Sequence, residues 1–525
     1  MKRIIVLLVA TGLAITGYAE EQKDTWNLSD LYPTVDDWYK AKDELSASLP
    51  KIDDCKGKLG ESAEKLLACS DMLSDIFKTF SRIASYAAMA SDADTRDNEN
   101  SQRRTEVQIL GSKLTEKISF IDPEILGIDE PTLTGYLSEL AGLEPYKHDI
   151  LDTLRQSRHV LDADAEAMMA ATSMMRQVPS NTYRTLANAD MPWPTVTLSD
   201  GEEVRLDQSA YGKYRSVDNR DDRKLVFDTF WSKWKEYERT IGTMLAGQVN
   251  VQVFNHRQRG YANSLAASLD NNNIPEAIYH TLISETNANL ATLHRYLKLR
   301  ARMLGVEDLG YHDGYPPLVE SDKVFPIAAG KQLTLEAAEP LGNAYTEVMS
   351  SGFENRWMDV YPRPGKRSGA YMNGSAYDVH PYVLMNYTDD YNSVSTLAHE
   401  WGHAMHSYLA NKNQPYPTAG YSIFTAEIAS TFNEALLLDH MLKTAASDEE
   451  RLYYLGSALE NLRTTFFRQT MFAEFELAIH ERAEAGEALT GPKFTEIYAD
   501  LLKRYHGHDE GVMNIEDLYT VEWAY

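Results

Sequence analysis

The chain has 525 residues, 43% hydrophobic and 25% charged, the profile of a soluble globular protein long enough for two helical lobes around a cleft. With 78 acidic against 51 basic side chains, its formal charge is −27. That balance repels nucleic acid and anionic membrane, favours neutral or basic partners, and leaves the fold open.

The N-terminus carries Lys2 and Arg3, an apolar stretch from Ile4 to Ile15, then Gly17-Tyr18-Ala19 and Glu20-Glu21. A basic start, a short apolar core and small residues before the cut describe a secretory signal peptide over residues 1–19. The apolar run falls short of the roughly 20 residues that a membrane span needs. The expectation is an exported chain, periplasmic or secreted, whose mature form is free of the membrane. Cys55 and Cys69 would then sit in an oxidising compartment. They either form one disulfide across a short helical connection or are two buried small residues, and their spacing leaves both open. With no histidine nearby they lack a metal ligand set.

Helical periodicity dominates the rest. Residues 62–90, 164–177, 222–253, 275–304 and 448–484 are rich in Ala, Leu, Glu and Lys and apolar at helical spacing. Thr195–Leu198 and Glu203–Leu206 flank Asp200-Gly201, which predicts a β-hairpin. The hairpin divides an N-terminal helical region, 20–200, from a second region, 201–525. Two short runs, 369–372 and 381–387, are rich in aromatic or β-branched residues and predict a small sheet. Its edge could hold a peptide by backbone hydrogen bonds or simply cap the helices. The fold class expected is mainly α.

Residues 394–409 read VSTLAHEWGHAMHSYL. Apolar side chains at 394, 397, 398, 401, 404, 405 and 408 make one helix face. At about 100° per residue, His399 and His403 stand one turn apart on the other side, where two imidazoles can share a metal ion. Glu400 is rotated off that pair and suits a general base acting on water at the metal. His406 is expected to support the site rather than to ligate. A catalytic zinc takes three protein ligands and keeps one position for water. In the helix predicted over 424–442, Glu427 and Glu434 lie two turns apart on one face, with Ile428, Phe432, Ala435 and Leu436 on the apolar side. Glu427 is the candidate third ligand, and Glu434 the acceptor that orients a ligand histidine. A solvated acidic face is the alternative. A di-iron carboxylate bundle would need a second Glu-x-x-His pair, and no symmetric pair is present.

These segments resemble the thimet oligopeptidase and oligoendopeptidase F family of zinc metallopeptidases. The likeness rests on HEWGHAMHSY at 399–408, AEIASTFNE at 426–434, GAY at 369–371, HPYVLMNY at 380–387, WNLSDLY at 26–32 and RQRGYANSL at 257–265. It implies a two-lobed helical metallopeptidase with a deep channel for short peptides, a small sheet beside the zinc helix and one zinc ion per chain. It also implies His399, His403 and Glu427 as ligands, Glu400 as base, and Gly369, Ala370, Tyr371 and His380 as substrate contacts.

The likeness breaks off at Val521–Tyr525, where the family continues into an Ile-Pro-His-like run and several tyrosines that line the cleft and stabilise the oxyanion. The loss of one such donor costs about 10²–10³ in rate. The sequence therefore reads as a fragment of a longer zinc endopeptidase. The alternative function is a zinc-retaining peptide-binding protein with little turnover.

Overall fold

The structure, a computed structural model, describes residues 24–319 and 321–525, so the expected signal segment lies outside the described residues. The chain forms two compact units, each assembled from two stretches. The first takes the described part of Met1–Leu151 with Lys323–His440; the second takes Asp152–Asp322 with Met441–Tyr525. Both are mainly helical, as the periodicity predicts. Among the described residues no helix is long and apolar enough to cross a membrane.

The second unit packs on an aromatic core. Phe227, Phe230, Trp231 and Trp234 share one face of the helix Arg220–Glu236 and belong to one buried cluster with Tyr498 and Tyr505 from Gly491–His506. The predicted hairpin is present as β1 (Thr195–Thr197) and β2 (Glu203–Arg205), antiparallel with Val196 opposite Val204. Both valines are buried and their strand neighbours exposed, the period-two pattern of a half-buried ribbon. Gly201 in the turn takes φ 91°, a region that L side chains rarely enter.

Several predicted helices are divided. Residues 222–253 form two helices, Arg220–Glu236 and Glu238–Gln258, separated at Tyr237. Residues 448–484 pass through a π-helical stretch at Arg463–Arg468, and residues 164–177 break at Thr172. Side-chain periodicity survives a local change of winding, so these breaks leave little trace in the pattern.

The first unit positions the site. Its longest helix, α1 (Ala63–Ala93), is tied at Cys69 to Cys55 by a disulfide, which settles the cysteine pairing. A three-stranded sheet follows in the order β3 (Met358–Asp359), β5 (Tyr382–Leu384), β4 (Tyr371–Asn373). The β5 strand runs parallel to β3 and antiparallel to β4, which leaves β4 at an edge. Tyr382 and Leu384 pack with Trp26, Leu31 and Met89. The short β3 strand was not predicted; two residues carry too little alternation to read.

Two helices cross beside this sheet, α2 (Tyr391–Asn413) and α3 (Ile423–Thr444). The Asp390 side chain caps α2 by accepting from the Ser393 N–H at 2.7 Å. Val394, Leu397, Ala398, Trp401, Ala404 and Met405 are all buried, and the Trp401 ring lies 4.4 Å from that of Phe353. The face of α3 departs from expectation. Ile428 and Phe432 are 65% and 53% exposed and Ala435 is exposed, whereas Ser430, Asn433, Leu437 and Met441 are buried. The reason lies in the crossing. A Cβ at Gly402 would stand 2.6 Å from the Cα of Ser430 and 2.7 Å from the carbonyl oxygen of Ala429. Backbones this close admit only a small side chain where they touch, so Ser430 faces α2 there, and Ile428 and Phe432 lie on the other side of α3.

Gly402→Ala should force the two helices apart and destabilise the protein by about 1–3 kcal/mol, the usual range for overpacking. Thermal or urea unfolding tests this; an unchanged midpoint would mean that the crossing is not constrained at this position.

Candidate metal centre

His399 and His403 follow one another on the same face of α2, and Glu427 reaches them from the first turns of α3. Three atoms converge: His399 Nε2 and His403 Nε2 are 3.2 Å apart, and Glu427 Oε2 lies 3.2 Å from the first and 3.3 Å from the second. Among the described residues these three are the group of His, Cys, Asp and Glu side chains whose ligand atoms cluster as a metal site requires. The donor set suits zinc, which takes imidazole nitrogen and carboxylate oxygen at about 2.0–2.2 Å. Tetrahedral bonds of that length separate neighbouring ligand atoms by about 3.3–3.5 Å, close to the spacing observed.

Each of the three side chains is held by a further hydrogen bond. Glu434 Oε1 is 2.5 Å from His399 Nδ1. With Nδ1–H donating to that carboxylate, the lone pair is left on Nε2, facing the cluster. A backbone hydrogen bond to Ala426 orients His403. The Ser430 hydroxyl donates to Glu427 Oε2 at 2.7 Å and so fixes the carboxylate that carries the third ligand atom. Ser430 had no assigned role in the sequence; its three-residue offset from Glu427 on one helix is the signal that could have found it.

Electrostatically the cluster is a sink for positive charge. Burial by itself would lower the His399 pKa, but the Glu434 hydrogen bond and charge, with Glu400 and Glu427, raise it above its ordinary value. Burial also lowers His403, against the pull of Glu427. Glu400 is buried, and that burial pushes its carboxyl up to about 7, with His399 drawing it down and Glu427 and Glu434 pushing it further up. Its Oε2 is buried with no hydrogen-bond partner among the described residues. A buried carboxyl oxygen left without a partner is costly unless something else in the site meets it.

The remaining candidates fall nearby or elsewhere. His406 stacks on Tyr421 at 3.8 Å between ring centres, and burial lowers its pKa. Its buried Nδ1 makes no hydrogen bond among the described residues, and its ring partner, Tyr421, is not one of the three clustered side chains. Gly369 and Ala370 lead into β4, which begins at Tyr371, and Gly369 takes φ 79° while its carbonyl accepts from Asn386 at 2.6 Å. His380 stacks on Trp357 at 4.3 Å, with ring nitrogens 2.9 Å from the Pro381 carbonyl and 3.2 Å from Asp30. None of those partners belongs to the cluster.

Comparison with known proteins identifies the family. Residues 213–518 match Peptidase family M3, and residues 124–192 match Oligopeptidase F. The chain is 37% identical over 503 residues to oligopeptidase PepF of Bacillus subtilis, covering 96% of this chain and 74% of that protein. It is 34% identical to the group B oligopeptidase PepB of Streptococcus agalactiae, covering 96% and 83%. The crystal structure of oligoendopeptidase-F from Enterococcus faecium is similar with a TM-score of 0.73 at 29% identity, covering 93% of this chain and 82% of that one. With the family match spanning more than half of the chain and close relatives along nearly all of it, this protein belongs to peptidase family M3.

Proposed function

We propose that this peptidase is a zinc-dependent endopeptidase of short oligopeptides, with His399, His403 and Glu427 holding one zinc ion and Glu400 as the general base. One observation carries the reading: three ligand atoms at tetrahedral spacing, with the unpartnered carboxylate oxygen of Glu400 on the same helix. Zinc bound there supplies Lewis acidity toward a carbonyl oxygen and toward water.

The chain's own groups do the rest. Glu400 takes a proton from the attacking water as the water oxygen joins the acyl carbon. It then delivers that proton to the departing amine nitrogen as the C–N bond breaks. Burial suits it to both tasks, because a carboxyl held near neutrality accepts and releases a proton at similar cost. Glu434 keeps the His399 ring in one tautomer and one orientation. The β4 edge, entered through Gly369 and Ala370, offers unpaired backbone groups to an extended peptide.

Glu400→Gln should lower hydrolysis of short peptides by about 10²–10⁴-fold while one zinc per chain is retained. Cleavage at the parental rate would remove Glu400 from the mechanism. Glu434→Ala should weaken zinc binding about 10–100-fold, read by competition with a chromophoric chelator. Affinity equal to the parent's would show that the His399 ring needs no support from Glu434. Stripping the protein with a chelator should lower its thermal midpoint, and zinc should restore it, since a ligand that binds only the folded state stabilises that state. A midpoint indifferent to zinc would count against the three-residue site.

A further inference from the structure

A cavity of about 560 Å³ lies within the first unit, walled by α1 at Ser81 and Asp92, floored by β4 and closed by Ser407 of α2 and by Tyr421. Ser407 is one helical turn beyond His403, about 6 Å along the α2 axis. An extended peptide on the β4 edge would therefore reach from this cavity to the metal centre within a few residues.

The charged groups of this lining are Asp92, Arg104 and Arg367. Asp92 is buried, its side chain 2% exposed, and accepts from Arg104 at 3.0 Å, from Arg367 at 3.1 Å and from the Tyr371 hydroxyl at 3.0 Å. The Arg367 backbone N–H donates to the Asp92 carbonyl at 2.9 Å, and its guanidinium lies 5.0 Å from the centre of the Tyr371 ring. Two guanidinium groups face one carboxylate, so the cluster holds one positive charge in excess on a chain whose formal charge is −27. Among the described residues each arginine side chain reaches Asp92 through a single nitrogen, which leaves donors of its fork for a ligand. Arg367 remains 44% exposed. Asp92 and Tyr371 hold the pair in place before any ligand arrives.

We propose that this cavity is a carboxylate subsite, in which Arg367 with Arg104 binds an acidic group of the peptide. Charge-assisted bonds from a guanidinium fork are the usual means of recognising a carboxylate. The group is either an acidic side chain or the C-terminal carboxylate of the peptide, since both present the same two oxygens. The proposal rests on the peptidase reading in that the ligand is taken to be a peptide.

Binding to zinc-loaded Glu400→Gln protein separates the two ideas, because it needs no turnover. Two series of fluorescent peptides serve as probes, one moving a Glu or a Gln along a neutral sequence, the other ending in a free acid or an amide. The expected result is that one Glu position, or the free acid, binds about tenfold or more tightly than its neutral counterpart. The series that shows it identifies the source of the carboxylate. Adding Arg367→Gln should abolish that ratio, Arg367→Lys should keep part of it, and raised ionic strength should reduce it. Equal binding of acidic and neutral probes throughout, or a ratio unchanged in Arg367→Gln, overturns the proposal. If the ratio holds while the parent cleaves no peptide, the subsite stands and the peptidase reading falls.

Discussion

The site depends on the contact between α2 and α3 at Gly402. Because that residue has no Cβ, the backbone of α3 at Ala429 and Ser430 lies directly against α2. Helices so close bring Glu427 and Glu434, two turns apart on α3, to opposite nitrogens of one imidazole. A single helix thus supplies both a ligand atom beside Nε2 of His399 and the acceptor that orients its Nδ1. A wider crossing, set by larger side chains, would separate both carboxylates from α2 at once.

Concentrating Glu400, Glu427 and Glu434 around two partly buried imidazoles is unfavourable unless something positive compensates them. The raised imidazole of His399 expresses that excess, whereas the Glu400 carboxyl is raised mainly by its burial, with Glu427 and Glu434 adding to it. A divalent cation would answer it at the point where the nitrogen atoms of His399 and His403 meet the Glu427 oxygen. Burial holds the Glu400 carboxyl at about 7, which would suit the proton transfers proposed for it. The arginine-rich cavity beside β4 has the opposite sign, which gives the first unit a negative centre for a cation and a positive pocket within a short peptide's reach of it.

Local spacing and tertiary geometry were legible to different degrees. The pairing of His399 with His403 follows from four residues on a helix, and the hairpin at 195–205 follows from Asp-Gly between alternating runs; both are properties of a few consecutive residues. The inward face of α3 was misread for a corresponding reason. Its apolar stripe containing Ile428 and Phe432 is real, but an amphipathic pattern does not say which stripe meets a neighbour when the neighbour admits only small residues. His380 sits in a segment shared with the family, yet its ring is taken up by Trp357 and Asp30, contacts that span more than twenty residues of sequence or far more. Ser430, by contrast, was within reach of sequence reasoning and passed over, because a small hydroxyl in a helix usually bonds its own backbone.

The sequence by itself determined the mainly helical fold and the two-histidine face of α2, and it put Glu427 forward as the candidate third ligand, since each is encoded in helical spacing or in a motif of adjacent residues. The tertiary structure alone decided that Glu427 and Glu434 address the same histidine from two sides, that Cys55 and Cys69 are joined, and that Asp92, Arg104 and Arg367 share one cavity. These groups come from distant stretches of chain or from separate helices. Their meeting depends on how closely backbones can approach and on where buried charge finds a partner, and neither is a property of any one segment.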